Sequence, residues 1–197
     1  MPVTYFHRYR MQYDLREGLF ARHEIPAGYS FLPWDEQLLD DHAEVKFDSF
    51  RNELDASVFP CLGDDDGCRR LMREISCRQG FVPQATWLIQ HTDKENAAGS
   101  GHWQTKQPHR YENCGTVQGI RSQTDVGTIQ NIGIAQGHRG RGLGTLLVYH
   151  CLKGFQEVGV RFVTLEVTSY NTGAFSLYKR LGFRVLKTVF KSVEISY

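Results

Sequence analysis

Residues Val126 to Gly144 read VGTIQNIGIAQGHRGRGLG, and this stretch decides the fold. Its first part, Gly127 to Ile134, is rich in β-branched residues, which is the composition of a strand. A turn follows through Ala135-Gln136-Gly137-His138, then Arg139-Gly140-Arg141-Gly142-Leu143-Gly144-Thr145, and an apolar pattern at helical spacing starts at once. The first N–H groups of a helix have no partner inside it, and their alignment puts about half a positive charge at that end. Glycines 140, 142 and 144 let a bulky anion reach the backbone without meeting a Cβ. Strand, glycine-rich turn and helix, with two arginines, form a phosphate cradle. A flexible surface loop is the competing reading.

Two common phosphate loops are excluded. A nucleoside-triphosphate loop needs Gly-Lys-Ser/Thr, whereas Gly144 precedes Thr145-Leu146. A dinucleotide fingerprint counted from Gly140 needs a last glycine where Thr145 stands, so a nucleotide-binding oxidoreductase is disfavoured.

The bounds are those of one domain spanning 1–197, long enough to bury about 70% of its unfolded surface. A formal net charge of +1 gives no global field for nucleic acid. Five cysteines, an odd number without C-x-x-C spacing, suit reduced thiols and a cytoplasmic protein. The first residues, MPVTYFHRYRMQYD, lack the apolar core of a signal peptide, and no apolar run approaches membrane-spanning length.

Residues 3 to 15 alternate, with Val3, Tyr5, His7, Tyr9, Met11, Tyr13 and Leu15 on one face, as a half-buried strand does. This strand belongs to an N-terminal extension over 1–27. Tyr29 to Leu32 is a short strand stopped by Pro33. Asp35 then N-caps a helix with Leu39, Ala43, Phe47, Phe50 and Leu54 on its apolar face. Asp64-Asp65-Asp66 opens the next helix, whose stripe is Cys68, Leu71, Met72 and Ile75. The aspartates suit either a metal or, more simply, a negatively charged first turn. Strands follow at 85–91, 115–121 and 127–134. Between the first two lies a polar excursion, 92–113, with His102, Trp103, His109 and Tyr111; its spacings match no zinc pattern, and no metal is expected. After the cradle the helix buries Leu143, Leu147, Cys151, Phe155 and Val158 up to the cap glycine Gly159. A strand at 161–167, a helix at 171–181 and a last strand at 183–195 complete an α+β order with one parallel pair. A ligand there sits beyond the strands' carboxyl ends.

Arg139, Gly142 and Gly144 match Arg/Gln-x-x-Gly-x-Gly/Ala, and residues 165–183, LEVTSYNTGAFSLYKRLGF, match L-E-V-x-x-x-N-x-x-A-x-x-L-Y-x-x-x-G-F. These segments resemble the GNAT acetyltransferase superfamily, nearest to its ribosomal-protein alanine N-acetyltransferase branch, strongly over 126–190. The resemblance implies a mixed sheet of about seven strands, a central parallel pair splayed for acyl-CoA, and helices on both faces. It implies acetyl-CoA as co-substrate, with pyrophosphate on the cradle, pantetheine on the backbones of Ile132, Gly133 and Ile134, and a cofactor contact from Asn171. It also implies direct transfer to a primary amine in a ternary complex, with Tyr178 as acid and Glu166 as base. The chain departs from the family in having Ala135-Gln136 where Asp-Pro is frequent, and in ending soon after the 183–195 strand. The strand at 3–15 is expected to take the missing partner's place, in the same chain or in a second one.

Chemistry sets the requirements. Deprotonating a lysine-type amine at pH 7 costs about 4.6 kcal/mol, and a chain-terminal amine only about 1.4 kcal/mol. A base must take a proton and an acid should protonate the departing thiolate. Asn171, Ala174 and Tyr178 share one helix face. Other readings stay open: Tyr178 as a core residue, Glu166 as half of an ion pair, water as the base, Asn171 as a helix cap. A non-catalytic acyl-CoA-binding sensor is the rival function. The expected partner is an amine of unknown identity, with neither nucleic acid nor membrane, in a monomer or homodimer.

Overall fold

A computed structural model describes residues 3–92 and 111–194. Seven strands form one sheet: β1 (Val3–Asp14), β2 (Tyr29–Pro33), β3 (Phe81–Thr92), β4 (Tyr111–Gln123), β5 (Val126–Ile134), β6 (Phe162–Thr168) and β7 (Arg184–Glu194). Their order is β2-β3-β4-β5-β6-β1-β7. All neighbours are antiparallel except β5 and β6, which run parallel. The helices are α1 (Leu39–Phe50), α2 (Leu54–Val58), α3 (Asp65–Ser76), α4 (Leu143–Glu157) and α5 (Thr172–Arg180).

The alternation of β1 explains its place. Met11 and Tyr13 are buried with Val163, Leu165 and Val167 of β6 and with Leu147, Cys151 and Phe155 of α4, forming the main core. The slot beside β6 is therefore filled by the N-terminal strand of the same chain, antiparallel to β6 and β7. Tyr5, expected on the buried face, is exposed.

On the opposite face, α1 to α3 cover the sheet. The single helix expected over 35–54 is three pieces. Asp35 accepts from Gln37 N at 2.8 Å and caps a short 3₁₀ turn, α1 follows, and α2 begins anew at Leu54. Leu39, Phe47 and Phe50 do pack, with Ala43, against Cys68 and Met72 of α3. Asp64 accepts from Gly67 N at 2.7 Å, which gives the aspartate run a capping role. The strands flanking the polar excursion are longer than expected: β3 reaches Thr92, which pairs with Tyr111 of β4. The rest of the excursion, with His102, Trp103 and His109, lies outside the described residues.

The expected apolar stripe of α1 thus faces α3, and the side turned to the sheet carries Val45 together with polar residues. His42, Lys46 and Ser49, spaced by a helical turn, are buried. Lys46 Nζ donates to Gln118 Oε1 at 2.8 Å, Thr116 Oγ1 lies 2.8 Å from His42 Nδ1, and Gln118 Nε2 donates to Thr116 Oγ1 at 2.6 Å. Burial drives the Lys46 pKa down to about 7, and burial together with Lys46 drives that of His42 down to about 3. Lys46 Nζ has Gln118 as its acceptor, and burial makes it give up its proton far more readily than a free lysine.

Two outcomes follow from this packing. Deleting residues 1–17 exposes the inner edges of β6 and β7 and should abolish the cooperative thermal transition seen by circular dichroism. A truncated chain melting like the full one would show that β1 is dispensable. Because the folded pKa of Lys46 is about 7 against 10.5 in the unfolded chain, the unfolded state binds the extra proton between those values. Stability contributed at this site therefore rises with pH above 7, by up to about 1.4 kcal/mol per pH unit. Lys46→Met should flatten the rise in denaturant midpoint between pH 7 and 8.5; an unchanged slope would mean that Lys46 stays charged.

Candidate active site

The central parallel pair is short. Pairing of β5 with β6 joins Val126, Gly127 and Thr128 to Phe162, Val163 and Thr164 and then stops. On its other side β5 carries an extra residue: Thr116 faces Gly133 and Gln118 faces Gln130, so three steps on β5 match two on β4. Asn131 sits in that bulge with φ 47°, a left-handed conformation that asparagine tolerates. The bulge bends β5 away from β6 and opens a gap at the carboxyl ends. A cavity of about 620 Å³ occupies this region, lined by Ile132, Gly133 and Ile134 along one side and by Asn171, Ala174 and Tyr178 along the other.

The amino end of α4 faces the same cavity, through Gly142, Leu143, Gly144 and Thr145. Gly142 is the N-cap with φ 79°, and no side chain accepts from the first-turn N–H groups. Left-handed backbone here suits glycine alone among common residues, and the uncapped end leaves its donors for an anion. The turn before it is pinned without Asp-Pro. His138 is buried, with Tyr29 Oη 2.8 Å from Nδ1 and Glu112 Oε2 3.2 Å from Nε2.

The two cradle arginines differ. Arg139 lines the cavity, but its guanidinium is turned to the protein: Nε donates to Ile134 O at 3.0 Å, Nη2 to Ser49 O at 3.0 Å, and Nη1 to Glu53 Oε1 at 2.6 Å. It clamps the end of α1 to the end of β5. Arg141 is exposed and lies off the cavity wall.

Tyr178 is buried, and its pKa is pushed up by desolvation and then by the Asp55 carboxylate, so the phenol holds its proton. Asn171 Oδ1 accepts from Ala174 N at 3.1 Å, capping α5, while the residue also lines the cavity. Glu166 is placed elsewhere. It projects to the α1–α3 side, where Oε2 accepts from Arg8 Nη1 at 2.9 Å and Oε1 accepts from Arg10 Nε at 3.0 Å and Nη2 at 2.7 Å. This is the ion-pair arrangement, with two arginines in place of one.

Glu166 borders a second cavity of about 800 Å³, walled by Arg8, Arg10, Thr128, Asn131, Thr164 and Lys187 and roofed by Phe59, Leu62 and Leu71. Along β5, Thr128 to Asn131 line this space and Ile132 to Ile134 line the first, so the bulge divides the two. Sequence reasoning missed Asp55, on the short helix α2. It lines the first cavity, accepts from Thr168 Oγ1 at 3.1 Å and adds to the upward shift that burial gives the Tyr178 pKa. Ser49, Glu53 and Arg180 were also missed; nothing local in the sequence marks residues brought in by helix packing. Among the described residues no cluster of metal-ligating side chains occurs.

A sheet opened at a parallel pair above an uncapped helix end is the layout of an acyl-CoA-using transferase. The chain belongs to the acetyltransferase (GNAT) family, whose family model matches residues 63–183. Members use acetyl-CoA as co-substrate. The chain is 43% identical over 56 residues to a streptothricin acetyltransferase of Streptomyces lavendulae, covering 28% of this chain and 30% of that protein. It is 38% identical over 78 residues to the N-alpha-acetyltransferase MAK3 of Arabidopsis thaliana, covering 38% and 41%, which is consistent with the ribosomal-protein branch. The matches thus span less than half of either relative's length. In fold, a GCN5-related N-acetyltransferase from Sphaerobacter thermophilus superposes with a TM-score of 0.63 at 23% identity, over 98% of this chain and 52% of that one. The expected mixed sheet of about seven strands, with helices on both faces, is the observed one. No helix among the described residues is long and apolar enough to cross a membrane.

A Cβ at Gly133 would stand 2.7 Å from Ser49 Cβ and 2.9 Å from the Phe50 ring. Gly133→Val should therefore push α1 off β5, lowering the melting temperature and weakening coenzyme A binding together in calorimetry. Wild-type values for both would show that α1 yields at no cost.

Proposed function

We propose that this chain moves the acetyl group of acetyl-CoA to a primary amine. The observation that carries this reading is the uncapped amino end of α4 opening on a cavity whose far wall is the splayed backbone of β5. The residues present fit the coenzyme. The first-turn N–H groups of α4, from Leu143 to Thr145, would receive the diphosphate, with Gly140 and Gly142 keeping the approach clear of side chains. By strand alternation, Ile132 and Ile134 turn main-chain groups to the gap, where a pantetheine amide would pair. Gly133 admits α1, and Asn171 closes the wall. The guanidinium of Arg139 holds this wall in shape; Arg141 remains free to meet phosphate from solvent.

The coenzyme supplies an activated acyl group; the chain supplies position and proton control. Tyr178 sits in a dry wall with its proton held, which makes it a poorer acid than a free phenol; it serves as donor because the same dry wall raises the basicity of a thiolate departing beside it. The amine's proton goes to a carboxylate, directly or through water. Glu166 serves by opening one of its arginine contacts. Asp55, which a single hydroxyl holds, is the second candidate. Loss of turnover in Glu166→Gln or in Asp55→Asn distinguishes them. The acceptor lies in the cavity beside Glu166, and the name of the N-alpha-acetyltransferase relative supports an α-amine, the easier group to deprotonate.

One observation favours the non-catalytic rival: both oxygens of Glu166 are already engaged. Binding of acetyl-CoA without thiol release across an amine library would select it. Tyr178→Phe should cut the rate of thiol release by about 10²–10⁴-fold, the usual worth of a general acid, and leave the affinity for coenzyme A unchanged. Undiminished turnover would leave Tyr178 as a core residue.

A further inference from the structure

The second cavity carries more positive charge than holding a bare amine requires. Arg8, Arg10 and Lys187 line it, and Glu166 is the one carboxylate in its wall. The arrangement comes from strand register. Arg8 and Arg10 stand on the same face of β1, and Lys187 of β7 is the direct partner of Arg10. A bulge between Arg10 and Met11 brings Leu186 to the cavity as well as Lys187.

The donors exceed the acceptors. Arg10 directs Nε and Nη2 to one oxygen of Glu166, which leaves Nη1 without a protein acceptor among the described residues. Arg8 is largely buried, with its guanidinium 4.9 Å from the centre of the Phe59 ring, and its Nε has no hydrogen-bond partner. Lys187 makes no ion pair among the described residues. Glu166 thus fixes two arginines in place while neutralising the charge of one. Phe59, Leu62 and Leu71 form the apolar side of the space, opposite these charges.

We propose that this cavity selects acceptors bearing an oxyanionic group, a carboxylate or a phosphate, near the amine, with Arg10 and Lys187 as the residues that read it. This rests on the acetyl-transfer reading above. An oxyanion of the acceptor completes the unused donor capacity of the arginine fork and the lysine; a neutral analogue leaves those cations unpaired in a confined space. The same field disfavours an ammonium beside it, so it lowers the cost of presenting the amine in the neutral, attacking form. Recognition of the anion and activation of the nucleophile then come from one set of charges.

The test uses the whole chain loaded with acetyl-CoA, after calorimetry has shown that the coenzyme binds. Release of free thiol is followed with matched acceptors: aminoalkyl carboxylates against their carboxamides, and aminoalkyl phosphates against the parent amino alcohols. In at least one pair the charged member should have a kcat/KM about tenfold or more above its neutral partner, the low end for a charge-assisted hydrogen bond. The pair that responds identifies the anion. Lys187→Gln, on an exposed strand position, should shrink that preference through the KM of the charged member; Arg10→Gln, which leaves Arg8 on Glu166 but loosens that carboxylate, is read by the ratio of charged to neutral member, which should fall as well. Turnover without preference for charge in either pair, or a preference that survives both substitutions, overturns the inference and leaves acetyl transfer standing. Coenzyme binding with no turnover of any acceptor overturns both.

Discussion

The structure depends on the point where β5 leaves β6. Three residue pairs hold the parallel strands together, and past Thr128 and Thr164 the extra residue in β5 turns it away. Main-chain groups that a continuous sheet would consume are left facing a gap. An unpaired peptide group in a dry interior costs free energy, so such an opening persists only where a ligand or water completes it. The helix that must return the chain from β5 to β6 starts at the same place, and its own unpaired amides point the same way. One bulge therefore aligns two sets of main-chain donors on one cavity.

The first strand makes the rest of the arrangement possible. Filling the place between β6 and β7, β1 gives both strands a hydrogen-bonding neighbour and contributes Met11 and Tyr13 to the main core. The alternate residues just before them in the pleat, Arg8 and Arg10, are then committed to the other face, directly beside Glu166. Packing on one side of this strand dictates charge on the other. The residue separation between Arg8 and Glu166, 158 positions, shows how far from local this dependence is.

That distance explains what could be read from the sequence. The 126–144 segment announced strand, cradle and helix because each signal is local: β-branched alternation, glycines at a turn, an apolar helical stripe. Asn171 as a helix cap was legible for the same reason. The buried polar side of α1 was not. His42, Lys46 and Ser49 look like a solvated face until Thr116 and Gln118 of β4 are placed against them. Arg139 was legible as part of a cradle but not as a clamp, since its partners, Ser49 in α1 and Glu53 in the break after it, lie 90 and 86 residues earlier. The break between α1 and α2, which delivers Asp55 to the cavity, leaves no glycine or proline behind it to be noticed.

The two cavities share an electrostatic logic. In the first the positive end of α4 faces the space; in the second guanidinium groups and a lysine stand against a single carboxylate among the described residues. Of the carboxylates in their walls, Glu53 is paired with Arg139, Asp55 acts on Tyr178, and Glu166 holds Arg8 and Arg10. Were transfer to occur as proposed, a proton leaving the amine would move toward one of these carboxylates, and the departing thiolate would meet a phenol that burial keeps protonated. On the reading proposed, anions are drawn in from both sides and protons are drawn to the middle. Glu166 then matters less for its own basicity than for the rigidity it lends to Arg8 and Arg10, because a guanidinium already fixed loses little freedom when it meets an anion.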